Sequence, residues 1–111
     1  MPGMMYLMEN SISDAKSNIG HRTKLFAENV REEVDHEYGD EYRCIAVYNL
    51  GTEEDETTEF VMKRMRSIIA VAAGTLEDDR PEYYNISPEN VLSILRAIAD
   101  LRRDAENLTI F

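Results

Sequence analysis

"YRCIAVYNL", residues 42–50, decides what kind of fold this chain adopts, and it reads two ways. Its β-branched and aromatic residues favour a strand. Asp40 as an N-cap and Gly51 just past the end frame a short helix equally well. A strand here needs a partner, and only "MMYLM" (residues 4–8) or "LTIF" (residues 108–111) offers one. A short helix is the expectation, with a strand, and so an α+β fold, as the alternative.

On the N-terminal side, Ile12, Ala15, Ile19, Phe26, Val30 and Val34 recur at helical spacings, which predicts a helix from about Asn10 to Tyr38. Gly20 weakens it and Gly39 is its natural stop. On the C-terminal side, Val61, Met65, Ile68 and Ala72, flanked by Met62 and Ile69, predict a helix from about Glu53 to Ala73, ended by Gly74. "TLEDDRPEYYN", residues 75–85, reads as a loop with Pro81 as breaker. The last helix, residues 87–108, has the clearest start: Ser87 as N-cap and Pro88 at the first helical position. Val91, Ile94, Ile98, Leu101, Ala105 and Leu108 form its stripe, widened by Leu92, Leu95 and Ala99. The expected fold is mostly α, a small helical bundle in one domain spanning residues 1–111. The width of the last stripe points to a homo-oligomer.

A length of 111 residues suits one domain, and a hydrophobic content of 43% supports a real core rather than disorder. No stretch is long and apolar enough to span a membrane. "MPGMMYLMEN" lacks the basic flank and cleavage site of a signal peptide. Four of the six Met fall in the first eight residues, offering Met4, Met5 and Met8 as alternative starts. Cys44 is the only cysteine, so no intrachain disulfide forms, which suits a cytoplasmic location.

The net charge of −10 is concentrated. Residues 32–59 hold eleven acids (Glu32, Glu33, Asp35, Glu37, Asp40, Glu41, Glu53, Glu54, Asp55, Glu56 and Glu59) against Arg43 alone, and the rest of the chain is neutral. Solubility needs no such clustering, because mixed surface charge serves equally well. Glu32, Glu33, Asp35 and Glu37 also fall near the expected end of a helix, the wrong sign for its dipole.

"SPENVLSILRAIADLRRDAENL", residues 87–108, resembles the C-terminal helix of small early-region accessory proteins of temperate phages, which often run "sPenVLaLl" into spaced leucines. The match covers about a fifth of the chain and lacks the long coiled coil that follows in those proteins. The resemblance implies a phage or mobile-element origin, where small acidic proteins often inhibit host defence or nucleic-acid enzymes.

Catalytic patterns are sparse. Glu33-x-x-His36 has di-iron spacing but occurs once, and His36 with Cys44 lacks the further ligands of a zinc site. An all-α nucleotide pyrophosphohydrolase, holding Mg²⁺ with an E-E-x-x-E and E-x-x-D pattern, is the enzyme alternative. Here Glu32-Glu33 is followed by His36 where the third carboxylate belongs, and Glu53-x-x-Glu56 comes later. There is no glycine-rich phosphate loop and no nucleophile elbow, and Cys44 among carboxylates is a dull thiol. "HRTK", residues 21–24, reads as a solvated turn of helix, too slight to hold nucleic acid against the acidic segment.

A protein-binding role is therefore expected, without catalysis or cofactor. Carboxylates supply charge and steering, and Tyr38, Tyr42 and Tyr48 among them offer rigid contact area unless they pack the core. The expected binding residues are the eleven acids named above with Tyr38 and Tyr42. Their partner would be a basic protein, such as a nuclease, a CRISPR complex or a transcription factor, with no direct nucleic-acid contact. An oligomeric helical scaffold working through its last helix is the third option.

Overall fold

Tyr42–Asn49 forms a strand, and both candidate partners pair with it. The computed structural model describes residues 2–13, 16–51, 55–73, 83–84 and 87–111, with 55–59, 61–62, 72–73 and 83–84 described by backbone course alone. In chain order the elements are β1 (Gly3–Asn10), β2 (Ser17–Thr23), α1 (Ala27–Tyr38), β3 (Tyr42–Asn49), α2 (Asp55–Ala73), β4 (Tyr83–Tyr84), α3 (Pro88–Arg102), a 3₁₀ turn (Ala105–Asn107) and β5 (Leu108–Ile110). The strands make one antiparallel sheet in the order β4-β2-β1-β3-β5. The chain is thus α+β and not the mostly α bundle expected from its periodicity.

The correction has a local cause. Leu7 lies opposite Ala46 and Met8 opposite Cys44, which leaves Ile45 as the extra residue of a β-bulge. Before the bulge Tyr42 and Cys44 face α1; after it Val47 does, while Ala46, Tyr48 and Leu50 face the opposite layer. The bulge flips the alternation in mid-strand. Because apolar layers cover both sides, no polar face marks the period either. β1 behaves likewise: Met4, Tyr6 and Met8 face α1, and Met5 and Leu7 face the other side.

β2 lies inside the region expected to be helical. Ile12 and Ile19 share a helical spacing, yet Ile12 is 96% exposed and Ile19 is fully buried on the sheet. The intervening turn is set by Asn10, whose side-chain oxygen accepts the N–H groups of Ile12 and Ser13 at 3.0 and 2.9 Å. The helix proper starts only at Ala27 and keeps the expected stop at Gly39, where φ is 57°.

α1 covers one face through Val30 and Val34. α2 and α3 cover the other through Met65 and Ile69 and through Val91, Leu95 and Ala99. In α2 the core row includes Ile69 in place of the expected Ile68. α3 begins as its sequence indicates, with the Ser87 hydroxyl accepting the Asn90 N–H at 3.2 Å and Pro88 following. It ends earlier than expected, at Arg102, where Arg103 turns left-handed. Ala105 and Leu108 therefore leave the stripe, and Leu108 enters β5. Ile94 and Ile98 of the stripe, and Leu92, Leu95 and Ala99 that widen it, all pack within the chain against the same core. Asp104 accepts a hydrogen bond from the buried Tyr48 hydroxyl, with Arg102 over the Tyr48 ring at 5.7 Å, tying this end of α3 to β3. Gly51 and Gly39 serve as turn glycines, whereas Gly74 and Pro81 lie outside the described residues.

Gly20 has a different role. It lies opposite Tyr6, and a Cβ there would run into the Tyr6 ring and hydroxyl. Tyr6 is itself buried and braced by Tyr38 and Arg22, so it has little room to yield. Gly20→Ala is expected to destabilise the fold by about 1–3 kcal/mol, the usual range for overpacking. Denaturant unfolding would measure it, and unchanged stability would mean that Tyr6 moves freely.

Candidate functional site

The first acidic stretch is built around α1. Burial of Val30 and Val34 against the sheet turns the other helix faces outward. Glu28, Glu32 and His36 follow one another at intervals of four on an exposed row, a rise of about 6 Å per step. Glu33, Asp35 and Glu37 are held inside the chain. Arg22 of β2 reaches Glu33 at 2.7 Å and also pairs with Glu37, while Lys24 pairs with Glu33. Asp35 accepts the Cys44 N–H at 2.8 Å, beside the bulge, and lies 3.7 Å from Arg31. The segment "HRTK" is thus the end of β2 and the residue after it, whose two long cations pair with Glu33 and Glu37 of α1, not a solvated helical turn. These cations offset the misplaced acids at the helix end.

The Lys24 ammonium, with Arg22 behind it, holds the Glu33 carboxyl below its ordinary value. Arg22 also sits over the Tyr6 ring at 5.9 Å. Burial first, then Tyr38, pushes the Tyr6 hydroxyl upward against the pull of Arg22. Burial, reinforced by the Asp35 charge, raises the Cys44 thiol to about 12.

The remaining expected residues divide. Glu32, Asp40 and Glu41 are exposed and make no ion pair among the described residues. The turn carrying the last two is pinned through its backbone, with Ser11 donating to the carbonyls of Asp40 and Glu41. Tyr42 is buried, and half-buried Tyr38 meets it edge-on at 6.1 Å and 78°, so both wall the core. Tyr48 is buried on the other face. Arg43, the one base of the acidic segment, pairs with Glu9 of β1.

The described part of the second acidic stretch belongs to α2. Glu53 and Glu54 lie outside the described residues, and Asp55, Glu56 and Glu59 fall in the first turns of α2. α1 and α2 pack on opposite faces of the sheet. Moreover, α1 leads into the start of β3 and α2 follows its end, a separation of about 23 Å at strand rise.

Around α1, seven acids (Glu28, Glu32, Glu33, Asp35, Glu37, Asp40 and Glu41) stand against three bases (Arg22, Lys24 and Arg31). The surplus is four negative charges. Sequence reasoning missed the apolar part of this surface. Leu25 and Phe26 are 60% and 67% exposed beside the acids, and Leu25 lines a shallow depression with Lys24, Asn29, Glu32, Glu33 and His36. Phe26 stands at the N-cap, where it was expected on the apolar stripe. Among the described residues, no three His, Cys, Asp or Glu side chains converge as metal ligands. The pyrophosphohydrolase pattern assumes an all-α scaffold, which this sheet replaces, and Glu33 is already engaged by two cations. Among the described residues, no helix is long and apolar enough to cross a membrane.

Two outcomes follow from these electrostatics. Native protein at mildly alkaline pH should resist thiol-specific reagents, and denaturant should release one reactive thiol; rapid labelling of folded protein would contradict the buried Cys44. Because Glu33 is lowered in the fold, its stabilising effect is complete above its ordinary value of 4.5 and is lost as pH falls through the folded value. Glu33→Gln should therefore flatten the acid limb of the stability-pH curve and leave its alkaline limb unchanged, as read from unfolding midpoints across pH. Comparison with protein-family models, curated proteins and solved structures finds no match to this chain.

Proposed function

We propose that the chain is an acidic protein-binding module that inhibits a basic nucleic-acid-binding protein, such as a nuclease, a CRISPR complex or a transcription factor, by presenting carboxylates in place of phosphates. It acts by occupancy and not by catalysis. The observation that carries this is the exposed set Glu28, Glu32, Asp40 and Glu41 on a rigid helix and pinned turn, beside exposed Leu25 and Phe26. A surface meant only for solubility gains nothing from a one-sided surplus. A surface meant to steer and hold a basic groove needs one, with apolar side chains to add contact once charge has brought the partners together.

The contact narrows to α1 and the turn at residues 39–41. Glu33, Asp35 and Glu37 shape it from within, and Tyr38 and Tyr42 support it from beneath. Asp55, Glu56 and Glu59, in the opposite layer, would meet a partner only at a separate contact. The free Cys44 fits a reducing, cytoplasmic setting.

Affinity capture from a bacterial lysate at low salt, with salt-gradient elution, supplies the partner. The purified partner should lose nucleic-acid binding when the chain is added. The quadruple variant Glu28→Lys, Glu32→Lys, Asp40→Lys, Glu41→Lys should inhibit at least tenfold less while unfolding at a similar midpoint. Inhibition of equal strength by the variant, or a captured protein whose nucleic-acid binding is untouched, would defeat the proposal.

A further inference from the structure

We infer that the outward face of α2 docks onto the α1 face of a second copy of this chain, so that copies associate head to tail. α2 turns one row inward, Met65 and Ile69, and the opposite row outward. The outward row is Phe60, Lys63, Arg64, Ser67, Ile68 and Val71, all exposed and at successive intervals of three, one, three, one and three. Its apolar members are large and open: Phe60 is 62% exposed, Ile68 49% and Val71 69%. The Arg64 guanidinium lies over the Phe60 ring at 5.6 Å, and neither Lys63 nor Arg64 pairs with any carboxylate whose side chain is described. No acid follows Glu59 in this helix. The result is a stripe with apolar ends and a basic middle, about 16 Å long at helical rise.

The α1 surface has the complementary character. Exposed Leu25 and Phe26 lead into the row Glu28, Glu32 and His36, and the surrounding charge is a surplus of acid. α1 is about 18 Å long, matching the stripe. An α2-to-α2 contact between copies would set Lys63 and Arg64 of each beside their equivalents near the symmetry axis, like charge against like. An α2-to-α1 contact sets them against carboxylates and joins apolar anchors to apolar anchors. The two helices lie on opposite faces of the sheet, so a chain cannot satisfy this contact with itself. The contact is heterologous, and it closes into a ring or extends as a filament.

This inference shares the α1 face with the proposed function but needs no other protein, so the chain alone tests it. In sedimentation velocity at low salt, the native chain should exceed its monomer mass of 12.8 kDa in a concentration-dependent way, and high salt should return it to monomer. The α2 variant Lys63→Glu, Arg64→Glu and the α1 variant Glu28→Lys, Glu32→Lys should each remain monomeric, with unchanged circular dichroism. Mixing the two variants should restore assembly, because each reversed face then meets a complementary one. Both keep a net negative charge, so bulk attraction cannot mimic this rescue. A native chain that stays monomeric at low salt, variants that still associate alone, or a mixture that stays monomeric would each overturn the inference. If the chain stays monomeric yet captures its basic partner through α1, the inference fails and the proposed function stands.

Discussion

Everything in this fold hangs on the antiparallel ladder between β1 and β3, buried on both faces. Met4, Tyr6 and Met8 with Cys44 and Val47 make one apolar surface, and Met5 and Leu7 with Ala46, Tyr48 and Leu50 make the other. An isolated pair of strands is marginal in water, and a pair covered on both sides becomes the thickest part of the core. Helices are then required on each face. α1 takes one, and α2 with α3 takes the other. The partition sets the location of every charged side chain, since the outward rows of the helices are whatever the sheet does not claim. Acid accumulates on the α1 side, while Lys63 and Arg64 stand on α2.

Much of the charge on the α1 side is internal wiring. Arg22 and Lys24 extend from the end of β2 to Glu33 and Glu37, and Arg22 also braces Tyr6. Asp35 holds the Cys44 N–H, beside the bulge that sends Ile45 and Ala46 to the opposite face. A carboxylate accepting a backbone N–H in a part-buried site is worth more than an exposed ion pair. Asp35 is therefore a structural residue within a functional-looking cluster, and the exposed Glu28, Glu32, Asp40 and Glu41 are what remains for another molecule.

How much of this was legible in the sequence depended on how local its determinants are. Ser87, Pro88 and Gly39 act within a few residues, and the helix ends they mark are where the sequence puts them. The inner row of α1, Val30 and Val34, was equally plain. Residues 42–50 were opaque because a bulge breaks the period of two and because both faces are buried, which removes the polar alternation that betrays a strand. Their two partners, residues 4–8 and 108–111, were nevertheless identifiable by composition. β2 was concealed by Ile12 and Ile19, whose helical spacing is coincidental once a turn at Asn10 separates them. For the site, the surplus of acid could be counted, but its division could not. Pairing of Glu33 and Glu37 with Arg22 depends on the end of β2 facing the same side of the sheet as α1, and the separation of residues 32–41 from residues 55–59 depends on which face each helix takes.

The sheet ends in strands of only two and three residues, β4 and β5. A growing fibril recruits monomers by offering a long row of unpaired backbone groups, and stubs of this length offer almost none. The long, apolar β1 and β3, which would be dangerous templates at an outer position, are both interior. β4 pairs the start of β2 and β5 the end of β3, so the strongly apolar β1 and β3 are withheld from the outer positions where amyloid-like growth would start.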